Sequence, residues 1–174
     1  RSPDVALATP YEALILASIV EKETALQSER PLISGVFQQR LRRNMRLQTD
    51  PTVIYGIRDF NGNITKEDLL TPTPYNTYVI AGLPPGPISN PGMSALTAAL
   101  FPEQSTYLYF VGNGAGRHIF STNLADHNSA VNEFQRGGSG TTQAPQAPPT
   151  ETTPIAAQPT AQPPAQQSTA PAAP

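Results

Sequence analysis

A break in composition near residue 137 constrains this chain more than any other feature. Every Lys and Arg precedes Gly137, and beyond it the only charged side chain is Glu151, set in a run of Pro, Ala, Gln, Thr and Gly. Such a segment has too little apolar area to offset the entropy of ordering it, so a disordered, partly polyproline-II tail is expected over 137–174. The core must then form within residues 1–136, enough for one ordinary globular domain.

Within that domain the helical periodicity is clear. Pro10 opens "YEALILASIVEKETALQSER", a helix of about four turns that is apolar on most sides and therefore expected to be largely buried. Pro31 can start a second helix, with Leu32, Ile33, Val36, Phe37 and Leu41 at three- and four-residue spacings. Asp50-Pro51 resembles an N-cap followed by a first-turn proline, opening "PTVIYG". Asn61-Gly62-Asn63 is a turn, and Thr65 with Asp68 approximates a capping box for "KEDLL".

The stretch "TPTPYNTYVIAGLPPGPISNPG" holds too many Pro and Gly for regular structure and should form a long ordered loop. Asn90-Pro91 can start another helix. "TYLYFVGNGAGRHIFST" alternates around a Gly-rich turn, as a β-hairpin does, and "NLADHNSAVNEFQR" closes as an amphipathic helix with Leu124, Val131 and Phe134 inward. The predicted class is α+β, mostly helical with one small hairpin.

Charge and cysteine usage bound the function. A net charge of −2 gives no general attraction to nucleic acid, although Arg40, Arg42, Arg43 and Arg46 cluster locally, as a solvated helix face would. There is no cysteine, hence no disulfide framework or Cys-based metal site, and this leaves the redox compartment open. The apolar run Ala13–Val20 falls far short of the ~20 residues a membrane helix needs. His118 and His127 have no carboxylate or second His at metal-ligand spacing, so no metal and no cofactor are expected. The sequence also lacks a nucleophile elbow and a phosphate-binding Gly loop.

The remaining chemistry centres on Glu21-Lys22-Glu23. At about 100° per residue, Leu16, Ile19, Val20 and Glu23 share one stripe while Glu21 points away. A carboxyl on an apolar face at the negative end of a helix dipole keeps its proton to higher pH, as a general acid must. Glu23 is therefore the candidate acid; the competing role is a cap or an ion pair with Arg30 or Arg40. Glu12, in the first turn, is expected to support the helix. Polar groups also crowd together at Gln48, Thr49 and Asp50, just ahead of Tyr55, where Asp50 could equally be a simple cap. In the long loop, Tyr75, Asn76 and Tyr78 could stack on sugar rings and bind hydroxyls, or could be packing groups.

With these residues in hand, the chain resembles the YceG-like, MltG-type endolytic murein transglycosylases from about Tyr11 to Arg136. The resemblance rests on the order of "LASIVEKET", "VFQQRLRRNMRLQTDPTVIYG", "TPYNTY", "GLPPGPISNPG", "YLYFV" and "FSTNLADHN". It implies a lysozyme-like catalytic domain that cuts peptidoglycan between N-acetylmuramic acid and N-acetylglucosamine and leaves 1,6-anhydro ends. The wider group follows its catalytic glutamate directly with Ser, a pattern that Glu23-Thr24 approximates and Glu21-Lys22 does not. Substrate-binding roles for Gln48, Asp50, Tyr55, Tyr75, Asn76 and Tyr78 are implied more loosely. Family members carry an N-terminal membrane anchor and a LysM-like subdomain, so an extracytoplasmic, membrane-anchored setting is expected, with cell-wall synthases as partners. Two rivals stand beside this reading: a lysozyme-type hydrolase using Glu23 and Asp50, and a non-catalytic glycan-binding or scaffold module.

Overall fold

The computed structural model describes residues 6–135, so the expectation of a disordered tail over 137–174 lies outside the described residues. Among the described residues six helices and one hairpin follow in chain order: α1 (Pro10–Glu23), α2 (Arg30–Arg42), α3 (Asp50–Gly56), α4 (Lys66–Leu70), α5 (Met93–Leu100), β1 (Tyr109–Gly112), β2 (His118–Ser121) and α6 (Leu124–Gln135). A 3-10 turn at Gln27–Glu29 joins α1 to α2. Among the described residues no helix is long and apolar enough to cross a membrane.

The helix starts follow local rules. Thr9 accepts the Glu12 N–H while the Glu12 carboxylate accepts the Thr9 N–H, a complete capping box that fixes the entry to α1 and gives Glu12 its supporting role. Thr65 and Asp68 repeat the device at α4. At α3 the cap lies one residue earlier than the sequence suggests: Thr49 is the N-cap and Asp50 the first helical residue. Thr49 makes no side-chain cap, because its hydroxyl is turned to Glu23.

The core forms where α1 packs on α5 and α2, with Leu16, Ile19, Val20, Ile33, Phe37 and Ala95 all but inaccessible to solvent. At Gly35 on α2, an added Cβ would stand 2.3 Å from the Glu103 carbonyl oxygen, so only glycine lets the segment after α5 lie against the helix. Ser18, the one polar group in the apolar run of α1, stitches the long loop to the core. Its hydroxyl donates to the Ile15 carbonyl at 2.7 Å and accepts the Ile88 N–H at 2.9 Å, and its carbonyl accepts from the Ser89 hydroxyl at 2.9 Å.

The hairpin pairs antiparallel in the register Tyr109↔Ser121 to Gly112↔His118, with Gly114 and Gly116 at φ near +75° turning the connection. It is fastened to α2 by the edge-to-face Phe37–Phe110 contact and to α6 by stacking of Tyr109 on His127. The inward stripe of α6 is as the spacing predicts, but its deepest members are His127 and Ala130, with Leu124, Val131 and Phe134 only partly covered. The two-stranded sheet is too narrow to bury a whole helix face.

Candidate active site

Glu23 ends α1, and its carboxyl lies in a cleft lined also by Arg40, Leu47, Gln48, Phe110, Val111, Gly112 and His118. Three elements thus meet there: the end of α1, the segment entering α3, and the hairpin. Part of the residue remains accessible, yet the carboxyl is enclosed enough that its pKa rises from 4.5 to about 7. Burial is the main cause, and the negative charge of Asp50 adds to it. A hydrogen bond from Thr49 and the more distant positive charge of Arg40 oppose it.

The Thr49 bond is short, 2.5 Å from Oγ1 to Glu23 Oε1. Its direction is set by a buried threonine relay. The Thr52 hydroxyl donates to the Thr49 carbonyl at 2.7 Å, Thr77 and Thr52 share a 2.8 Å contact, and Thr77 Oγ1 accepts the Thr49 N–H at 3.1 Å. The Thr49 backbone is therefore satisfied by neighbours, and its hydroxyl is free to serve the carboxyl 26 residues earlier in the chain. One carboxyl oxygen, Oε1, is held by Thr49.

Arg40 lies close enough for its positive charge to favour the Glu23 carboxylate. It is 3% exposed, donates to the backbone carbonyls of Leu108 at 2.7 Å and Leu47 at 2.8 Å, and lies over the Tyr109 ring. Its pKa is lowered by burial. It ties the hairpin to the segment leading into α3, so it shapes two walls of the cleft at once. Arg30 pairs with the other glutamate of this turn. It holds Glu21 at 2.7 Å, and the second Glu21 oxygen accepts the Gly92 N–H at 2.9 Å, at the start of α5. Glu21 is thus a brace between α1, α2 and α5, pointing away from the cleft.

The other sequence candidates divide by position. Gln48 lines the cleft at φ +51°, a left-handed conformation that a non-glycine residue adopts at a cost of about 1–3 kcal/mol. The backbone bond from Gln48 N–H to the Thr77 carbonyl, at 3.1 Å, helps to hold it there. Asp50 does not line the cleft; its carboxylate accepts the Tyr78 hydroxyl at 2.5 Å. Burial, and then the Asp50 charge, push the Tyr78 hydroxyl well above the usual phenol range, which keeps it a donor.

Asn76, expected to bind hydroxyls or to pack, is engaged by its own loop. It is 1% exposed, and its Nδ2 donates to the carbonyls of Asp68, Leu69 and Thr71 at 3.1, 3.1 and 2.8 Å, while Oδ1 accepts the Tyr78 N–H. The side chain is used up in shaping the loop. Tyr75 and Tyr55 pack against each other at a tilt of 54°, centroids 4.7 Å apart, with Tyr55 51% exposed. The Tyr75 and Tyr11 hydroxyls both lie beside Gly86, and Tyr11 stands in the first turn of α1, roughly 18 Å along the helix from Glu23. The structure therefore gathers Glu23 and Gln48 at the cleft, Asp50 and Tyr78 beside it, and Tyr55 and Tyr75 at a distance.

Sequence reasoning missed Thr49 as a partner of Glu23, and Arg40, Phe110 and His118 as cleft walls. His118 also has a carboxylate partner after all, Glu29, 89 residues earlier in the chain. No local spacing could reveal it. Among the described residues no group of three or more His, Cys, Asp or Glu could hold a metal ion.

Fold and site together define a small helical domain that presents one protonatable carboxyl in a cleft closed on one side by a β-hairpin. The chain belongs to the YceG-like family, whose model matches residues 2–133. It is 41% identical over 124 residues to the endolytic murein transglycosylase of Bacillus subtilis, covering 71% of this chain and 34% of that protein. It is 38% identical over 131 residues to the endolytic murein transglycosylase of Streptococcus pneumoniae, covering 72% of this chain and 24% of that one. The chain thus spans about a third or less of the length of these relatives. A crystal structure of a YceG-like protein from Listeria monocytogenes superposes with a TM-score of 0.63 at 48% identity, over 68% of this chain and 38% of that one.

Proposed function

We propose that this chain is the catalytic part of an endolytic peptidoglycan lytic transglycosylase, with Glu23 as its general acid and base, on a lysozyme-like arrangement of helices around the cleft. The observation that carries the proposal is the Glu23 carboxyl itself: it lies in the cleft, and burial there pushes its pKa up to about 7. The names of the relatives point to the same activity.

In this reading, protonated Glu23 gives its proton to the oxygen of the bond between N-acetylmuramic acid and N-acetylglucosamine, and that bond breaks with oxocarbenium character at C1. The Glu23 carboxylate then takes the proton of the C6 hydroxyl of the same muramic residue as its oxygen bonds C1. The 1,6-anhydro ring closes and the acid is regenerated. The nucleophile is intramolecular, so proximity supplies part of the rate and no second carboxylate is required. Thr49 supports both halves: its hydroxyl donates to the carboxylate once the proton has left. Gln48 would meet the sugar at the cleft, and Tyr55 and Tyr75 would offer ring faces further along the strand. The position of Asp50, bonded to Tyr78 outside the cleft lining, favours this reading over a two-carboxylate hydrolase. In the cell the domain would act outside the membrane, anchored through another part of a longer protein and working beside cell-wall synthases.

The test is to digest purified peptidoglycan and weigh the new chain ends by mass spectrometry. Ends one water lighter than hydrolysis products are expected from native protein and from Glu21→Gln, and none from Glu23→Gln. Normal reducing ends would make the protein a hydrolase. Glycan binding with no cleavage by any form would make it a binding module.

A further inference from the structure

The Glu29–His118 pair is not used by the mechanism above, yet His118 lines the same cleft as Glu23. Glu29 grips this histidine twice. Oε2 meets ring Nδ1 at 2.7 Å and Oε1 accepts the His118 backbone N–H at 3.2 Å. The ring is also fixed in plane by Phe110, edge-on at 5.3 Å, and by Phe120 at 6.4 Å. Both partners are largely buried, with side-chain exposures of 15% for His118 and 13% for Glu29.

A carboxylate only accepts, so Glu29 fixes a ring proton on Nδ1, and in the neutral imidazole this leaves Nε2 with a lone pair. Among the described residues Nε2 has no hydrogen-bond partner. Fastening the hairpin to the 3-10 turn would require only Nδ1 and the backbone N–H. An immobilised imidazole, oriented by a carboxylate and with its second nitrogen unused beside a cleft, is instead the arrangement of a ligand contact.

We propose that His118 is a substrate-binding residue of the cleft, accepting through Nε2 a hydrogen bond from a hydroxyl or amide N–H of the amino sugar held against Glu23, and that Glu29 is the positioning residue that sets its tautomer. The inference rests on the glycan reading of the cleft. It gives the hairpin a direct part in binding, so the sugar is held between the α3 entry on one side and β2 on the other.

Two substitutions separate contact from fastening. His118→Asn places an amide nitrogen at the Nδ1 position and keeps the bond to Glu29 but removes Nε2; His118→Gln places an amide at the Nε2 position. On soluble uncrosslinked glycan strands, His118→Asn is expected to lower kcat/KM about tenfold, mostly through KM, with His118→Gln within about threefold of native. Equal kinetics for native and His118→Asn would overturn the proposal. The companion measurement uses Glu23→Gln protein labelled with 15N-histidine and titrated with a soluble uncrosslinked strand fragment. Movement of the His118 Nε2 signal with Nδ1 unchanged supports the contact. Shifts at the backbone amides of residues 47–48 and 110–112 without movement of Nε2 would refute it and leave the glycan reading standing. No shift at either would remove both, because the strand would not enter the cleft.

Discussion

Replacing Glu23 with glutamine should stabilise the protein above neutral pH while ending its activity. In the unfolded chain this carboxyl ionises near 4.5, and in the folded protein near 7. The folded state therefore binds the proton more tightly than the unfolded state, and stability falls as pH rises between those values. At about 1.4 kcal/mol per pH unit, the rise from 4.5 to about 7 corresponds to a penalty of about 3 kcal/mol, complete above pH 7 and absent below pH 4.5. Glutamine has no charge to desolvate and can still accept the Thr49 hydroxyl. Urea unfolding of Glu23→Gln and native protein from pH 4.5 to 8.5 should show no difference at the acid end and a gain approaching about 3 kcal/mol at the alkaline end. With a slope of about 1–3 kcal/mol per M, the midpoint at pH 8.5 should move up by about 1–3 M. A gain independent of pH, or a loss at pH 8.5, would refute the argument that burial of a charge at this site dominates. A positive result would mark Glu23 as a group whose placement opposes stability, which is common where a site is built for chemistry.

Three further outcomes follow from the same geometry. Thr49→Val removes the donor that favours the carboxylate, so Glu23 should hold its proton to higher pH and the alkaline limb of kcat/KM should move up by about one pH unit, with Thr49→Ser close to native. Glu21→Gln discharges the brace to Arg30 and Gly92 and should cost about 1–3 kcal/mol in thermal or urea unfolding while the 1,6-anhydro products persist; loss of turnover in a folded variant would mean the two glutamates had been assigned the wrong way round. Asn76→Ala leaves the carbonyls of Asp68, Leu69 and Thr71 without their shared donor and should destabilise the protein by about 2 kcal/mol or more, with faster proteolysis within the loop; a fully stable variant that no longer binds glycan would return Asn76 to the substrate.

The parts of this molecule that were legible in its sequence are those whose partners lie within a turn or two. The capping box at Thr65–Asp68, the supporting role of Glu12, the glycines of the hairpin and the stripe that turns Glu23 inward and Glu21 aside all follow from local spacings. Even the shifted cap at α3 is a local ambiguity of one residue, between Thr49 and Asp50. What the sequence alone determined, then, is which helices form, which face each buries, and that a carboxyl ends the first of them on its buried side. Only the tertiary structure decided what that carboxyl meets. The Thr49 hydroxyl reaches Glu23 across 26 residues, Gly92 reaches Glu21 across 71, and Glu29 reaches His118 across 89. Such bonds depend on how helices and hairpin pack as bodies, and neither periodicity nor propensity carries that information. The same holds for Asn76, whose type fits both a sugar contact and a loop staple until the fold encloses it with three carbonyls.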